Sequence, residues 1–200
     1  MRKFAAFFRD VMLAALVALP VSAADISANG IFLIATNALR DPNFRETVVL
    51  VTQPRDSGPF GVIINRPLDQ RLADVLPQYE ALKRRQDVIY YGGPVAHDGL
   101  VFLVRSEKSP SRATRVLKDV YITADREAIE RALSKPGSGR VLRAYAGHSG
   151  WAPGQLQHEI SRGSWYILPA DAETVFEKDA ASIWPELSRR AALRRTGSAD

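Results

Sequence analysis

Cysteine is absent from the 200 residues. Its absence excludes disulfides, thiol catalysis and Cys-ligated zinc, and leaves core packing alone to hold the fold. Histidine is scarce. His97, His148 and His158 are the only three, and no two stand as an H-x-x-x-H pair. No metal site and no cofactor are therefore expected. The apolar run Val11–Ala24 stops at fourteen residues, short of the ~20 needed to span a hydrocarbon core. Internal repeats and low-complexity linkers are also missing, which points to one domain. The tail arginines Arg189, Arg190, Arg194 and Arg195 have no aromatic residue among them, so they offer no stacking platform for a single strand.

What is present begins with the N-terminus. Arg2, Lys3 and Arg9 precede the apolar run, and Val21-Ser22-Ala23 supplies small residues before Ala24-Asp25. This order of basic start, apolar centre and small-residue site is that of a secretory signal. Residues 1–23 are expected to be the signal peptide and residues 24–200 the domain. Removal takes away three basic side chains and Asp10, so the net charge falls from +5 to +3. The expected location is periplasmic or otherwise exported, with the cytoplasm as the alternative should the signal go unused. After cleavage no transmembrane segment remains, and export would keep the protein from nucleic acid.

Along the domain, Gly30–Ala35, Thr47–Thr52, Phe60–Ile64, Val88–Tyr91, Leu100–Val104, Val116–Ile122, Val141–Ala146 and Trp165–Leu168 read as strands. Arg55–Pro59 is turn chemistry joining the second and third into a hairpin. Leu72, Val75 and Leu76 have helical spacing cut short by Pro77. A helix after Thr123 should start on that residue as N-cap, bury Ile129, Ala132 and Leu133, and end at Pro136-Gly137. Leu156 and Ile160 mark a short helix capped by Gly163. Further helical segments lie near Ala172–Phe176 and Ile183–Leu193. The sum is an α+β domain, with α/β-type layering as the alternative. It has about seven or eight strands in a mixed, mostly antiparallel sheet and about four short helices.

Four motifs carry a resemblance. They are Phe32-Leu33-Ile34-Ala35 with Asp41 and Phe44; Gly61–Leu68, which contains Asn65-Arg66-Pro67; Tyr91-Gly92-Gly93-Pro94-Val95; and Gly150-Trp151-Ala152-Pro153-Gly154-Gln155-Leu156. In this order they resemble the AlgH/YqgE family over nearly the whole domain, and Trp165, Pro169-Ala170 and Ile183-Trp184 resemble its closing segments. The resemblance implies a compact domain of unusual topology. It also implies a family treated as candidate transcriptional regulators linked to alginate production, with no biochemical activity assigned. Asn37 departs from the family's usual proline. The expected export signal departs from a usually cytoplasmic family, and a periplasmic regulator could not meet chromosomal DNA.

Gly147-His148-Ser149-Gly150 almost spells a G-x-S-x-G nucleophile elbow, making Ser149 the one candidate nucleophile. The elbow's second glycine position is held by Trp151, which argues against it, and the stretch reads instead as a glycine-rich turn leading to a helix. Trp151 is expected as a core anchor whose indole N–H finds a carbonyl, with a ligand platform as the other possibility. Gly92-Gly93-Pro94 could cradle an anion through backbone N–H groups, though Pro94 shortens the nest and no Walker lysine follows. His158-Glu159 reads as ordinary surface. Arg66 is expected to pair with Asp41. The binding candidates are Asp41, Asn65, Arg66, Tyr91, Gly92, Gly93, Trp151 and Gln155, gathered on one face. The expected function is a non-enzymatic binding or regulatory protein of the envelope, its partner an unknown protein or small ligand. The alternatives are a serine-hydrolase-like enzyme using Ser149 and a cytoplasmic transcriptional regulator.

Overall fold

A computed structural model describes residues 30–53, 58–135 and 140–196. The expected signal peptide, most of the Arg55–Pro59 turn and the Pro136-Gly137 stop lie outside the described residues. Ten strands form one curled sheet: β1 (Ile31–Ala35), β2 (Val48–Thr52), β3 (Phe60–Ile63), β4 (Pro67–Arg71), β5 (Val88–Tyr91), β6 (Val95–Arg105), β7 (Ala113–Leu117), β8 (Val120–Thr123), β9 (Leu142–Gly150) and β10 (Trp165–Pro169). Among the described residues five α-helices accompany them: α1 (Leu72–Val75), α2 (Arg126–Leu133), α3 (Gln155–Ser161), α4 (Ala172–Phe176) and α5 (Ala180–Thr196). The main path runs β10-β1-β2-β3-β9-β6-β8-β7, and β4 reaches it through β5.

The apolar runs explain the centre of the sheet. Every residue of β2 is buried, as are four of the five in β1, so each strand feeds side chains to both faces. Strands β2 and β3 pair antiparallel, as the expected hairpin has them. Neighbours are antiparallel except β5 and β9. Strands β8 and β9 flank β6, each antiparallel to it, and α2 makes the crossover between them. The two strands beyond the expected eight have local causes. Val116–Ile122 breaks at Lys118-Asp119 into β7 and β8. Pro67 opens β4, which pairs only with β5, so its missing N–H interrupts no ladder.

Two further expectations are corrected. The N-cap of α2 is Asp125, whose carboxylate accepts the Ala128 N–H at 3.1 Å, while Thr123 Oγ1 accepts the Asp125 N–H at 3.0 Å. The glycine-rich stretch after Ala146 is no turn: β9 runs on to Gly150, because His148 pairs with Val95 and Ser149 with Gly61. The chain turns only at Gly154, with φ of 78°, where glycine avoids the Cβ penalty of the left-handed region.

The core has three compartments. The concave side holds Phe32, Ile34, Leu50, Ile64 and Tyr145 under α4 and α5. Curling is closed by the Gly30 N–H, which donates to Val116 O at 2.6 Å and so ties the start of β1 to β7. The opposite side is divided. Helices α1 and α2 cover Ile89, Phe102, Tyr121 and Ala144, with Ile129, Ala132 and Leu133 facing in as expected. Helix α3 covers Leu33, Val49, Ile63, Trp151 and Trp165. Strand β9 serves the concave side through Tyr145 and the α1–α2 compartment through Leu142 and Ala144.

Tyr145 is fully buried, and its hydroxyl finds no partner among the described residues. Burial also pushes its phenol well above the ordinary tyrosine range. A buried hydroxyl without a partner costs ~1–3 kcal/mol. Tyr145→Phe keeps the ring and removes that cost, so the free energy of urea unfolding should hold or rise, by about 1 kcal/mol. A clear fall would mean that the hydroxyl is satisfied in solution.

Candidate functional site

Four of the expected binding residues, Asp41, Asn65, Arg66 and Tyr91, meet at the loop between β1 and β2. Asp41 starts its turn: Oδ1 accepts the Asn43 N–H at 2.8 Å, and its carbonyl accepts those of Phe44 and Arg45. Asn65 and Arg66, leaving β3, clamp the loop from outside. Asn65 Oδ1 accepts the Val48 N–H at 2.8 Å and Nδ2 donates to Glu46 O at 3.0 Å. This holds Glu46 at a φ of 57°. Arg66 donates to the carbonyls of Asn43 and Arg45, both at 2.7 Å, and reaches Pro42 O at 3.3 Å. The expected Arg66–Asp41 ion pair does not form. The guanidinium's planar fork meets a cluster of loop carbonyls that need donors. Burial pulls Arg66 below its ordinary value. Tyr91 completes the clamp, its hydroxyl donating to Asn43 Oδ1 at 3.3 Å and its N–H to Arg66 O at 2.8 Å.

Gly92 and Gly93 do different work. A Cβ on Gly92 would run into Gly147 O, and one on Gly93 into the His148 carbonyl and Ser149 Oγ. The Gly92 carbonyl accepts the Ile63 N–H at 2.9 Å and the Ser149 hydroxyl at 3.2 Å, and its N–H donates to Ala146 O at 2.8 Å. These groups face a neighbouring strand, so the pair forms a strand joint, and the Gly92 N–H is spent within it. Ser149 is fully buried within it. His148, the preceding residue, projects to the other side of β9 and stacks on Phe60 at 4.6 Å, and burial pushes its imidazole down. Ser149 is therefore closed off from solvent, with its hydroxyl given to a main-chain carbonyl.

Trp151 and Gln155 belong to a third cluster. Trp151 is buried, as expected of an anchor, but its partner is a carboxylate rather than a carbonyl. Glu159 Oε2 accepts the indole N–H of Trp151 at 3.0 Å and that of Trp165 at 2.8 Å. Oε1 accepts from Gln155 Nε2 at 3.0 Å, and Gln155 Oε1 takes the Ala152 N–H at 3.0 Å. Phe44 meets both indoles, stacked on Trp151 at 6.3 Å and edge-on to Trp165 at 5.6 Å. The loop that Arg66 clamps is thus also pinned from below. Glu159, taken from sequence as ordinary surface, is its centre. The i, i+4 spacing from Gln155 was the available signal; that both tryptophans would arrive there was not visible locally.

Of the eight expected residues, Asn65 and Arg66 border a cavity. A cleft of about 270 Å³ lies between them, Arg45 and Glu46 on one side and Ala180, Ala181, Trp184 and Pro185 on the other. A second cleft, of about 530 Å³, continues past Trp184 and Pro185 toward Asn37, Ser188 and Arg189. Trp184, missed as a site residue, stands between the two, fixed by its indole N–H to Ala35 O at 2.8 Å. Arg45, Arg66 and Arg189 line this groove against Glu46, the single acid. Its excess of positive charge suits non-covalent recognition of an anion, and the ring offers a face for an apolar or planar group beside that charge. Among the described residues no group of three or more His, Asp or Glu could hold a metal ion, and no helix is long and apolar enough to cross a membrane.

Residues 32–195 match the AlgH-like family, DUF179. A UPF0301 protein of Streptomyces coelicolor is 34% identical over 170 residues, covering 82% of this chain and 86% of that protein. One from Nitrosospira multiformis is 35% identical over 153 residues, covering 74% and 82%. Among solved structures, a Corynebacterium diphtheriae protein aligns with a TM-score of 0.66 at 27% identity. The AlgH protein of Pseudomonas aeruginosa aligns at 0.62 and 28%. Both alignments cover 82% of this chain and 86% of the other.

Two outcomes follow for these clusters. Glu159→Gln turns an amide N–H₂ toward donors, so it should cost ~1–3 kcal/mol in urea unfolding and red-shift tryptophan emission; an unchanged midpoint would remove Glu159 from the centre of the cluster. A fluorophosphonate probe should leave Ser149 unlabelled in the folded protein, as mass spectrometry of the peptide would report; an adduct there would restore the hydrolase.

Proposed function

This chain belongs to the AlgH-like family, and from that footing we propose that it is a non-enzymatic binding protein of the cell envelope. It holds an anionic partner, a protein segment or a small ligand, in the groove between the Asn37–Glu46 loop and α5. The observation that carries this reading is the setting of Trp184, whose ring stands between two clefts bordered by Arg45, Arg66 and Arg189. The loop wall is held by Asn65 and Arg66, so the groove is pre-formed, and a rigid wall lowers the ordering cost of binding. The engagement of Ser149 in the strand joint supports a role without catalysis. The envelope location rests on the signal-like order of residues 1–23.

Cell fractionation with N-terminal sequencing should find the protein outside the cytoplasm and starting at Ala24. A cytoplasmic protein starting at Met1 would overturn the location. For the groove, a photo-crosslinking residue at Ser188, inside the cleft, should give a discrete adduct in cells. The same residue at Lys118, on the β7–β8 turn, should not. Reversing Arg45 and Arg189 to Glu should reduce the Ser188 adduct about tenfold or more, as removal of complementary charge does, with far-UV circular dichroism unchanged. Equal labelling at both positions, or an adduct insensitive to the reversals, would refute the groove.

A further inference from the structure

Among the described residues, three strands of the sheet are paired on one side only: β4, β7 and β10. Unpaired edges invite other chains, and proteins ordinarily blunt them with charge or cover. Strand β4 carries Asp69 and Arg71 and opens with Pro67. Strand β7 carries Arg115, and its Val116 carbonyl is taken by the Gly30 N–H. Strand β10, Trp165-Tyr166-Ile167-Leu168-Pro169, carries no charge at all. Ile167 at its middle is 47% exposed, one of the few large apolar side chains so placed among the described residues.

The ladder to β1 fixes which backbone groups β10 turns outward. At its two ends, Ala170 N–H donates to Gly30 O and Thr36 N–H to Ser164 O, and pairing in between is in regular register. Antiparallel bonding alternates, so Tyr166 and Leu168 face β1 while Trp165 and Ile167 face away. A cleft of about 480 Å³ runs beside this outer edge. Arg162 and, from α5, Arg194 line it. Arg162 stands exposed just before the strand, and Asp171 and Glu173 stand exposed just after it.

We propose that β10 pairs antiparallel with β10 of a second copy of this chain across a two-fold axis, joining the two sheets edge to edge. With the axis beside Tyr166, Trp165 faces the partner's Ile167, and each outward N–H meets an outward C=O. Pro169, which has no N–H, falls outside the bonded pairs. The antiparallel arrangement brings Arg162 of each copy to the end where the partner's Asp171 and the partner's Glu173 lie, and it does so twice. A basic and an acidic end on one short uncharged strand complement a reversed copy of themselves, and a two-fold pairing closes without leaving a new edge to grow from. Mutual burial of Ile167 supplies apolar area at the axis.

Sedimentation velocity of the full-length protein purified from its own cells tests this. It should show a monomer–dimer equilibrium below about 100 µM. Ile167→Lys, at an exposed position, should shift the midpoint to at least ~10-fold higher concentration while circular dichroism stays unchanged. Arg162→Glu alone and Glu173→Arg alone should each weaken self-association, by up to about tenfold for two rim pairs. An equimolar mixture of those two variants should form a mixed dimer, because both junctions are complementary again. A monomer at every concentration overturns the proposal. So does a dimer that withstands Ile167→Lys, or a mixture no more associated than its components.

Discussion

The main chains of Gly92-Gly93 and Gly147–Ser149 run closer together than any side chain between them would permit. That approach lets one edge of β9 serve two strands in succession, β5 along Ala144–Ala146 and β3 at Ser149-Gly150. The Gly92 carbonyl is the point of transfer, since it takes both the Ile63 N–H and the Ser149 hydroxyl. Everything that departs from a simple meander hangs on this joint. It sets β5 parallel to β9, carries β4 as a side branch, and aims Asn65, Arg66 and Tyr91 at the β1–β2 loop. Two glycine motifs that look like independent candidates for chemistry are the two halves of one packing contact.

The same economy governs the polar side chains. Asn65, Arg66 and Tyr91 are engaged with the main chain and side chains of one loop, and Gln155 and Glu159 with the tryptophans beneath it. Phe44 joins the two systems by lying against both indoles. A loop carrying a left-handed Glu46 has no regular ladder to take up the carbonyls of Pro42, Asn43, Arg45 and Glu46, and Asn65 and Arg66 supply the donors instead. The residue types that suggested recognition are thus explained first by the needs of an irregular segment. The face left over for recognition is the one turned to α5.

Much of the fold was legible because it is written in short-range patterns. The buried runs of β1 and β2, the stripe Ile129, Ala132, Leu133 and the cap at Gly163 follow from burial periodicity and backbone preference within a few residues. The site was less legible because its logic is long-range. Nothing near Glu159 in sequence says that indoles from β9's end and from β10 will share one carboxylate oxygen. Arg66 has Asp41 as an obvious opposite charge, yet the carbonyls that win its fork are gathered only once the loop closes. Trp184 showed itself as a closing motif, and its role beside a cleft depends on α5 settling over the concave side.

These engagements constrain how the proposed groove can work. Arg66 lines it but already gives its N–H groups to the carbonyls of Asn43 and Arg45, so it contributes fixed charge more than new hydrogen bonds. Trp184 has likewise committed its indole N–H to Ala35 O and offers only its ring. Direct, adaptable contacts then fall to Arg45 and Arg189, which sit exposed at either end. Attraction between exposed charges is screened over roughly 8 Å at physiological salt, whereas stacking on a fixed ring is not. Orientation in such a groove therefore comes from the tryptophan and capture from the arginines, and the two should separate as salt is raised: capture weakens while the bound pose persists.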